Sequence, residues 1–208
     1  IVESIWDFNG DCGDPYVKSI KGRPIKIPCN PKKAKEKIKN NYKHYKKILG
    51  NCKVLIITLG QTEVWSHKDA PDTAFYAAPF VGIKDGEKNH ISHDLTIDEI
   101  KSDMKEILRI MKKYNPEVKI IFSISPIPLV ATISDDYSAY IAANHAKTKL
   151  HACTLELMKD YEDVYYMPSF ELVNAHPYKA FRDDGRHVPQ NFANKIMKMF
   201  SKLYVKNG

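Results

Sequence analysis

The run Val54-Leu-Ile-Ile-Thr58, followed at once by Leu59-Gly60-Gln-Thr-Glu63, is the feature that most constrains this chain. Its residues are β-branched or leucine with no polar alternation. Such a run predicts a strand buried on both faces, as in a parallel sheet. Parallel strands need crossover connections, usually helices, so an α/β fold is implied. The break at Gly60 matters as much. Ligands of open α/β sheets bind beyond the carboxyl ends of the strands, where Gly60, Thr62, Glu63 and Trp65 stand. An ordinary strand exit, with Gly60 in a turn and Thr62 capping the next element, has the same pattern. These residues become candidates only with support from elsewhere in the chain.

The remaining pattern supplies the helices. Asn30-Pro31 opens a helix over 31–49 that carries eight lysines between Lys32 and Lys47, with Ile38, Tyr42, Tyr45 and Leu49 spaced to face inward. Thr96-Ile-Asp-Glu99 is a capping box. It starts a helix with Ile97, Ile100, Met104, Ile107, Leu108 and Met111 as the buried stripe, ending at Asn115-Pro116. Val118 to Ile124 reads as a second buried strand, ending at Ser125-Pro126. A helix from about Asp136 to Asp160 comes next, with Leu150, Cys153, Leu157 and Met158 inward. Val164 to Met167 reads as a third strand. A last helix begins near Pro189, with Phe192, Ile196, Phe200 and Leu203 on one face. The expected fold is a single domain over 1–208, a three-layer α/β/α sandwich around a parallel sheet. Residues 1–30, rich in Gly and Pro, form an irregular connector, and 66–95 form a long loop over the site. In that loop Phe75, Tyr76 and Phe80 join Trp65 as candidate walls of a cleft. Three strands are fewer than the usual five or six, so the expectation is that the first strand lies upstream of Ile1, in a longer protein.

Composition narrows the partners. The formal charge is +7, carried almost wholly by lysine, because arginine occurs only at 23, 109, 182 and 186. Proteins that read nucleic acid favour arginine forks, so nucleic acid is not the expected partner. Cys12, Cys29, Cys52 and Cys153 show neither a C-x-x-C pair nor regular spacing. A reducing, cytoplasmic compartment is expected, with no zinc site and no cofactor. His90 and His93 lie three apart without a third ligand fixed nearby, so no metal is assigned to them. No apolar run approaches the roughly 18 residues of a membrane span. Oligomeric state leaves no mark in the sequence.

Asp184-Gly-Arg-His187, just ahead of the last helix, is the arrangement that carries chemistry. A carboxylate three residues before an imidazole can orient the ring and stabilise its charged form, and the ring can then act as base toward a hydroxyl. A lone pair of this kind is also what a capping aspartate and a surface histidine look like. Gly10-Asp-Cys12-Gly13 invites a nucleophile reading, but a nucleophile elbow needs an apolar strand before it and a helix after it. Cys12 has neither, with Pro15 and Gly22 close behind it.

The order of these parts resembles the SGNH hydrolase superfamily, and more closely its GSCFA branch. The resemblance covers nearly the whole chain. It rests on Thr58-Leu-Gly-Gln-Thr-Glu-Val-Trp65, Ser123-Ile-Ser-Pro-Ile-Pro-Leu-Val-Ala-Thr132, Ala143-Asn-His-Ala-Lys147, Met167-Pro-Ser-Phe-Glu171 and Asp184-Gly-Arg-His-Val188. It implies an acyl-ester hydrolase or O-acyltransferase acting on an acyl ester, carbohydrate esters included. His187 would be the base, Asp184 its partner, and Gly60 with Thr62 part of the oxyanion site. Glu63 and Ser125 would line the same strand ends. Two departures stand out. The branch's Gly-Ser-Cys-Phe-Ala is absent, and Ala146 stands where a serine is common. Either the nucleophile comes from upstream sequence, or the chain is an inactive binding or structural protein whose basic helix docks an acidic partner.

Overall fold

The computed structural model describes residues 43–75 and 86–205. Cys12, Cys29, the connector 1–30, Tyr76 and Phe80 lie outside them. The chain divides into two compact units, one formed by 1–51 and 63–94, the other by 52–62 and 95–208.

In the first unit, residues 43–51 are helical (α1). Tyr45 is exposed there rather than inward, and Leu49 is only half-buried. The stretch expected to be a loop over 66–95 contains much of an antiparallel sheet. β2 (Glu63–His67) lies between β3 (Ala70–Phe75) and β4 (His90–Asp94). Trp65 pairs with Phe75 on one side and Ser92 on the other, and a bulge falls between Ser66 and His67. The expectation failed because Glu63-Val-Trp-Ser-His and His90-Ile-Ser-His-Asp are mostly polar. Strand preference of that kind depends on what the strand packs against. The register also sets His90 opposite His67, with the rings edge to face at 5.1 Å. His93 lies three positions along β4 from His90, on the other face of the sheet.

The second unit is built as strand, helix, strand, helix, strand. β1 (Val54–Leu59), β5 (Lys119–Ile124) and β6 (Val164–Met167) form a parallel sheet in that order. The ladder aligns Ile56 with Ile121 and Ile121 with Tyr165. α2 (Ile97–Tyr114) and α3 (Ala139–Asp160) are the crossovers. Lys101 meets Glu156 and Lys105 meets Asp160, a constant offset, so the two helices run side by side in the same direction. Asn115, which ends α2, turns its side-chain amide onto the Cys52 carbonyl at 2.7 Å, tying that helix end to the start of β1. Two short helices, α4 (Ser169–Asn174) and α5 (Pro177–Ala180), precede α6 (Gln190–Tyr204). Among the described residues no helix is long and apolar enough to cross a membrane.

β5 is the centre of the core. Ile120, Ile121, Phe122, Ser123 and Ile124 are all buried, so both faces of this strand are covered. β1 behaves differently from expectation. Leu55, Ile57 and Leu59 are half-buried, but Val54 and Ile56 on the other face are 46% and 47% exposed. Among the described residues β1 pairs only with β5. An apolar run therefore marks a strand without fixing how many of its faces are covered. The helix stripes are narrower than their spacing suggested. Ile100, Met104, Leu108 and Met111 are buried, whereas Ile97 and Ile107 are exposed, as are Met158 on α3 and Leu203 on α6.

The capping box is present in full. Glu99 N–H donates to the Thr96 hydroxyl oxygen, and Thr96 N–H donates to the Glu99 carboxylate at 2.8 Å. Thr96→Ala removes one half of it and should lower stability by about 1 kcal/mol, measured by denaturant unfolding with an unchanged slope.

Candidate functional site

The carboxyl edge of the parallel sheet is held together by a row of contacts. Ser125 N–H donates to the Leu59 carbonyl at 2.8 Å, carrying the β1–β5 alignment one residue past the strands. Its hydroxyl accepts from Ile127 N–H, which shapes the turn after β5. Ser169, just beyond β6, bonds the Ser123 hydroxyl at 2.6 Å and donates to the Ile124 carbonyl at 2.9 Å. Arg186 reaches the Pro128 carbonyl at 3.4 Å, which links the segment before α6 to the loop after β5.

That segment is a closed turn. Arg182 N–H donates to the His187 carbonyl and Gly185 N–H to the Arg182 carbonyl, each at 2.8 Å. Gly185 has φ +64°, the left-handed conformation that a side chain disfavours. The turn folds Asp184 back on Arg186 and His187. One carboxylate oxygen accepts both Arg186 N–H and His187 N–H at 2.9 Å, and the other contacts His187 Nδ1 at 2.6 Å. These bonds, the His187 amide foremost, hold the Asp184 carboxyl well below the ordinary carboxylate range. An ionised carboxylate against Nδ1 makes that nitrogen the N–H donor and leaves the lone pair on Nε2. The spacing that the sequence singled out is thus a formed pair, on a turn tied to the loop after β5 by the Arg186–Pro128 contact. Its anchor is apolar. Val173, Ala180 and Phe192 form a small core against which Phe181 and Val188, on either side of the turn, pack.

The other expected residues fall in different surroundings. Gly60 adopts no left-handed conformation, and a Cβ built on it meets nothing within 4 Å. The open space beside β1's exit is where a ligand could approach. Thr62 is 1% exposed, so its hydroxyl faces protein. Its carbonyl accepts Leu95 N–H at 2.9 Å. Glu63 and Trp65 lie on β2 in the first unit, both half-buried. Among the described residues no three His, Cys, Asp or Glu side chains gather as a metal cluster would require.

Two groups escaped the sequence reading. Lys147 lies in the buried row of α3 with Ala143, Ala146, Leu150 and Thr154, and is itself 3% exposed. Its ammonium donates to the Gly60 carbonyl, and burial pushes its pKa down to about 8. A lysine at an apolar-face position on the helix was the available signal. The second group joins three elements. The Tyr166 hydroxyl donates to both oxygens of Glu171, at 2.7 and 2.8 Å, and His151 stacks on the Tyr166 ring 4.9 Å away. Burial first, and then Glu171, push the Tyr166 hydroxyl far above its usual pKa.

The model of the GSCFA family matches residues 7–200, which is most of the chain. This chain therefore belongs to the GSCFA family. No curated protein matches it.

Gly185→Ala keeps every side chain of the turn but forces a left-handed alanine, at a cost of about 1–2 kcal/mol. The expected result is a drop in stability of that size together with a shifted His187 ring resonance. Wild-type stability and an unmoved ring would show that the turn does not hold the pair.

Proposed function

We propose that this member of the GSCFA family is an acyl-ester hydrolase or O-acyltransferase of the SGNH type, acting on an acyl ester such as an acylated carbohydrate. The single observation that carries the reading is the 2.6 Å contact between Asp184 and His187 Nδ1. It leaves Nε2 as the basic nitrogen, the atom that would take a proton from an attacking hydroxyl. As the acyl carbon becomes tetrahedral, His187 carries that proton and Asp184 stabilises the imidazolium. His187 then returns it to the leaving alcohol. Charge developing on the acyl oxygen is met by donors beside the open space at Gly60. Thr62, being buried, supports the wall in this proposal, and Ser125 borders it.

The attacking serine in this reading is that of the family's Gly-Ser-Cys segment, a motif that residues 1–208 do not contain. The parallel sheet would then be part of a larger three-layer sandwich, with the strand bearing that serine beside the exposed flank of β1. The same missing motif favours a second reading, a GSCFA-fold protein that binds a partner without turnover, with the exposed lysines of α1 facing an acidic surface.

Acetate release from acetylated oligosaccharides by the protein encoded by the full gene separates the two. Release is expected, and His187→Asn should lower kcat/KM by about 10²–10⁴-fold, with Asp184→Asn lower by a smaller factor. Release at an equal rate by wild type and His187→Asn, or none from either, contradicts the hydrolase reading.

A further inference from the structure

We infer that the cleft between α6 and the α4–α5 pair is a binding site for a small amphipathic anion, a medium-chain alkyl carboxylate. The inference goes beyond the ester chemistry given under Proposed function, because none of the residues that line the cleft takes part in it.

Helical spacing builds the cleft. On α6, Phe192, Lys195, Ile196 and Met199 stand at positions i, i+3, i+4 and i+7, so they share one face of the helix. Facing them, Leu172 comes from α4, Lys179 from α5, and His176 from the junction between the two. Together these side chains line a cavity of about 300 Å³. Phe192 is its most buried member. It belongs with Val173 and Ala180 to the small core of this region, against which Ile196 packs. His176 meets the Phe192 ring edge to face at 6.1 Å. The apolar floor is therefore held by the core beneath it.

The charge at this cleft has one sign. Lys179 and Lys195 bring two exposed ammonium groups, and no aspartate or glutamate lines the cavity. Lys195 Nζ stands over the Phe192 ring, 5.8 Å from its centroid, which places a cation directly beside the apolar floor. Elsewhere in this unit helical lysines are matched to acids: Lys101 to Glu156, Lys105 to Asp160 and Lys112 to Asp163. Among the described residues Lys179 and Lys195 have no such partner.

A ligand with an apolar tail and an anionic head satisfies both parts. The tail removes Leu172, Phe192, Ile196 and Met199 from water, and the carboxylate accepts charge-assisted bonds from the ammonium groups. Size sets the length of the tail. A cavity of this volume is at the small end of ligand pockets. At about 30 Å³ for each water-sized group it takes roughly ten non-hydrogen atoms, the size of octanoate. A helix of a partner protein, about 10–12 Å across with its side chains, is wider than such a cavity admits.

The test is a titration of the full-gene protein with octanoate, kept well below its self-association limit and followed by methyl resonances. Saturable shifts are expected at Leu172, Ile196 and Met199. Octan-1-ol, which keeps the tail and lacks the charge, should bind about tenfold more weakly, and octylammonium should not bind. Reversing both exposed charges, in Lys179→Glu with Lys195→Glu, should weaken octanoate about tenfold or more. No saturable shift with octanoate overturns the proposal, and so does equal affinity for octan-1-ol in wild type; both are read without any variant. Unchanged octanoate binding by the folded double variant overturns it as well. If octanoate is inert but an acidic amphipathic peptide moves the same methyls, the cleft is a protein-docking face and the carboxylate site fails. If those methyls move with protein concentration alone, a second copy is the occupant, with the same consequence. Loss of ester hydrolysis in wild type leaves this site untouched.

Discussion

The pairing of β1 with β5 is the constraint on which the rest of the second unit depends. Its six aligned residue pairs run from Val54 with Lys119 to Leu59 with Ile124. Ser125 N–H extends the alignment onto the Leu59 carbonyl. Because the ladder ends there, Gly60 and Ser125 leave the sheet side by side, and everything proposed for the site is arranged around that shared exit. β5 can anchor the arrangement because it is buried along both faces. A parallel strand with that much covered surface is hard to shift in register, since slipping by one residue would exchange the residues on its two faces.

The histidine turn is placed by other means, and Arg186 ties it to the loop after β5 through the Pro128 carbonyl. Its position depends on a small apolar cluster, Val173, Ala180 and Phe192, and its internal shape on Gly185 and the Asp184 carboxylate. The turn is therefore tied down by backbone and carboxylate hydrogen bonds even though its side chains are exposed. His187 and Asp184 retain 54% and 47% of side-chain exposure. An exposed base held in one tautomer suits chemistry on a ligand that arrives from solvent. Lys147 presents the opposite case, a charge committed to the interior and directed at a single backbone carbonyl.

Much of this was legible in the sequence. The Thr96–Glu99 capping box, the strand Val164–Met167 and the start of α6 at Pro189 stand where their local signals placed them. These signals work because the chemistry is complete within a few residues. The Asp184–His187 pair was legible for the same reason, since a turn with glycine in the middle determines it. The strands β2 and β4 were not, because their polar residues are accommodated only once each has the other as a neighbour. Exposure of Val54 and Ile56 was also hidden, because β-branched residues promote a strand whether or not both its faces are covered. Lys147 stood in the sequence as the end of a segment of resemblance, with no role attached to it. Only the fold reveals that it lies on the buried side of α3.

The central claim is that Asp184 holds His187 as the Nδ1–H tautomer, leaving Nε2 to accept a proton. Long-range proton–nitrogen correlation spectra of the histidine-labelled protein, recorded above the imidazole pKa, report which ring nitrogen is protonated. The account predicts protonated Nδ1 and unprotonated Nε2 for His187, with the preference lost in Asp184→Asn. A His187 ring protonated on Nε2 in wild type, or one whose tautomer is the same with and without the Asp184 carboxylate, would contradict it.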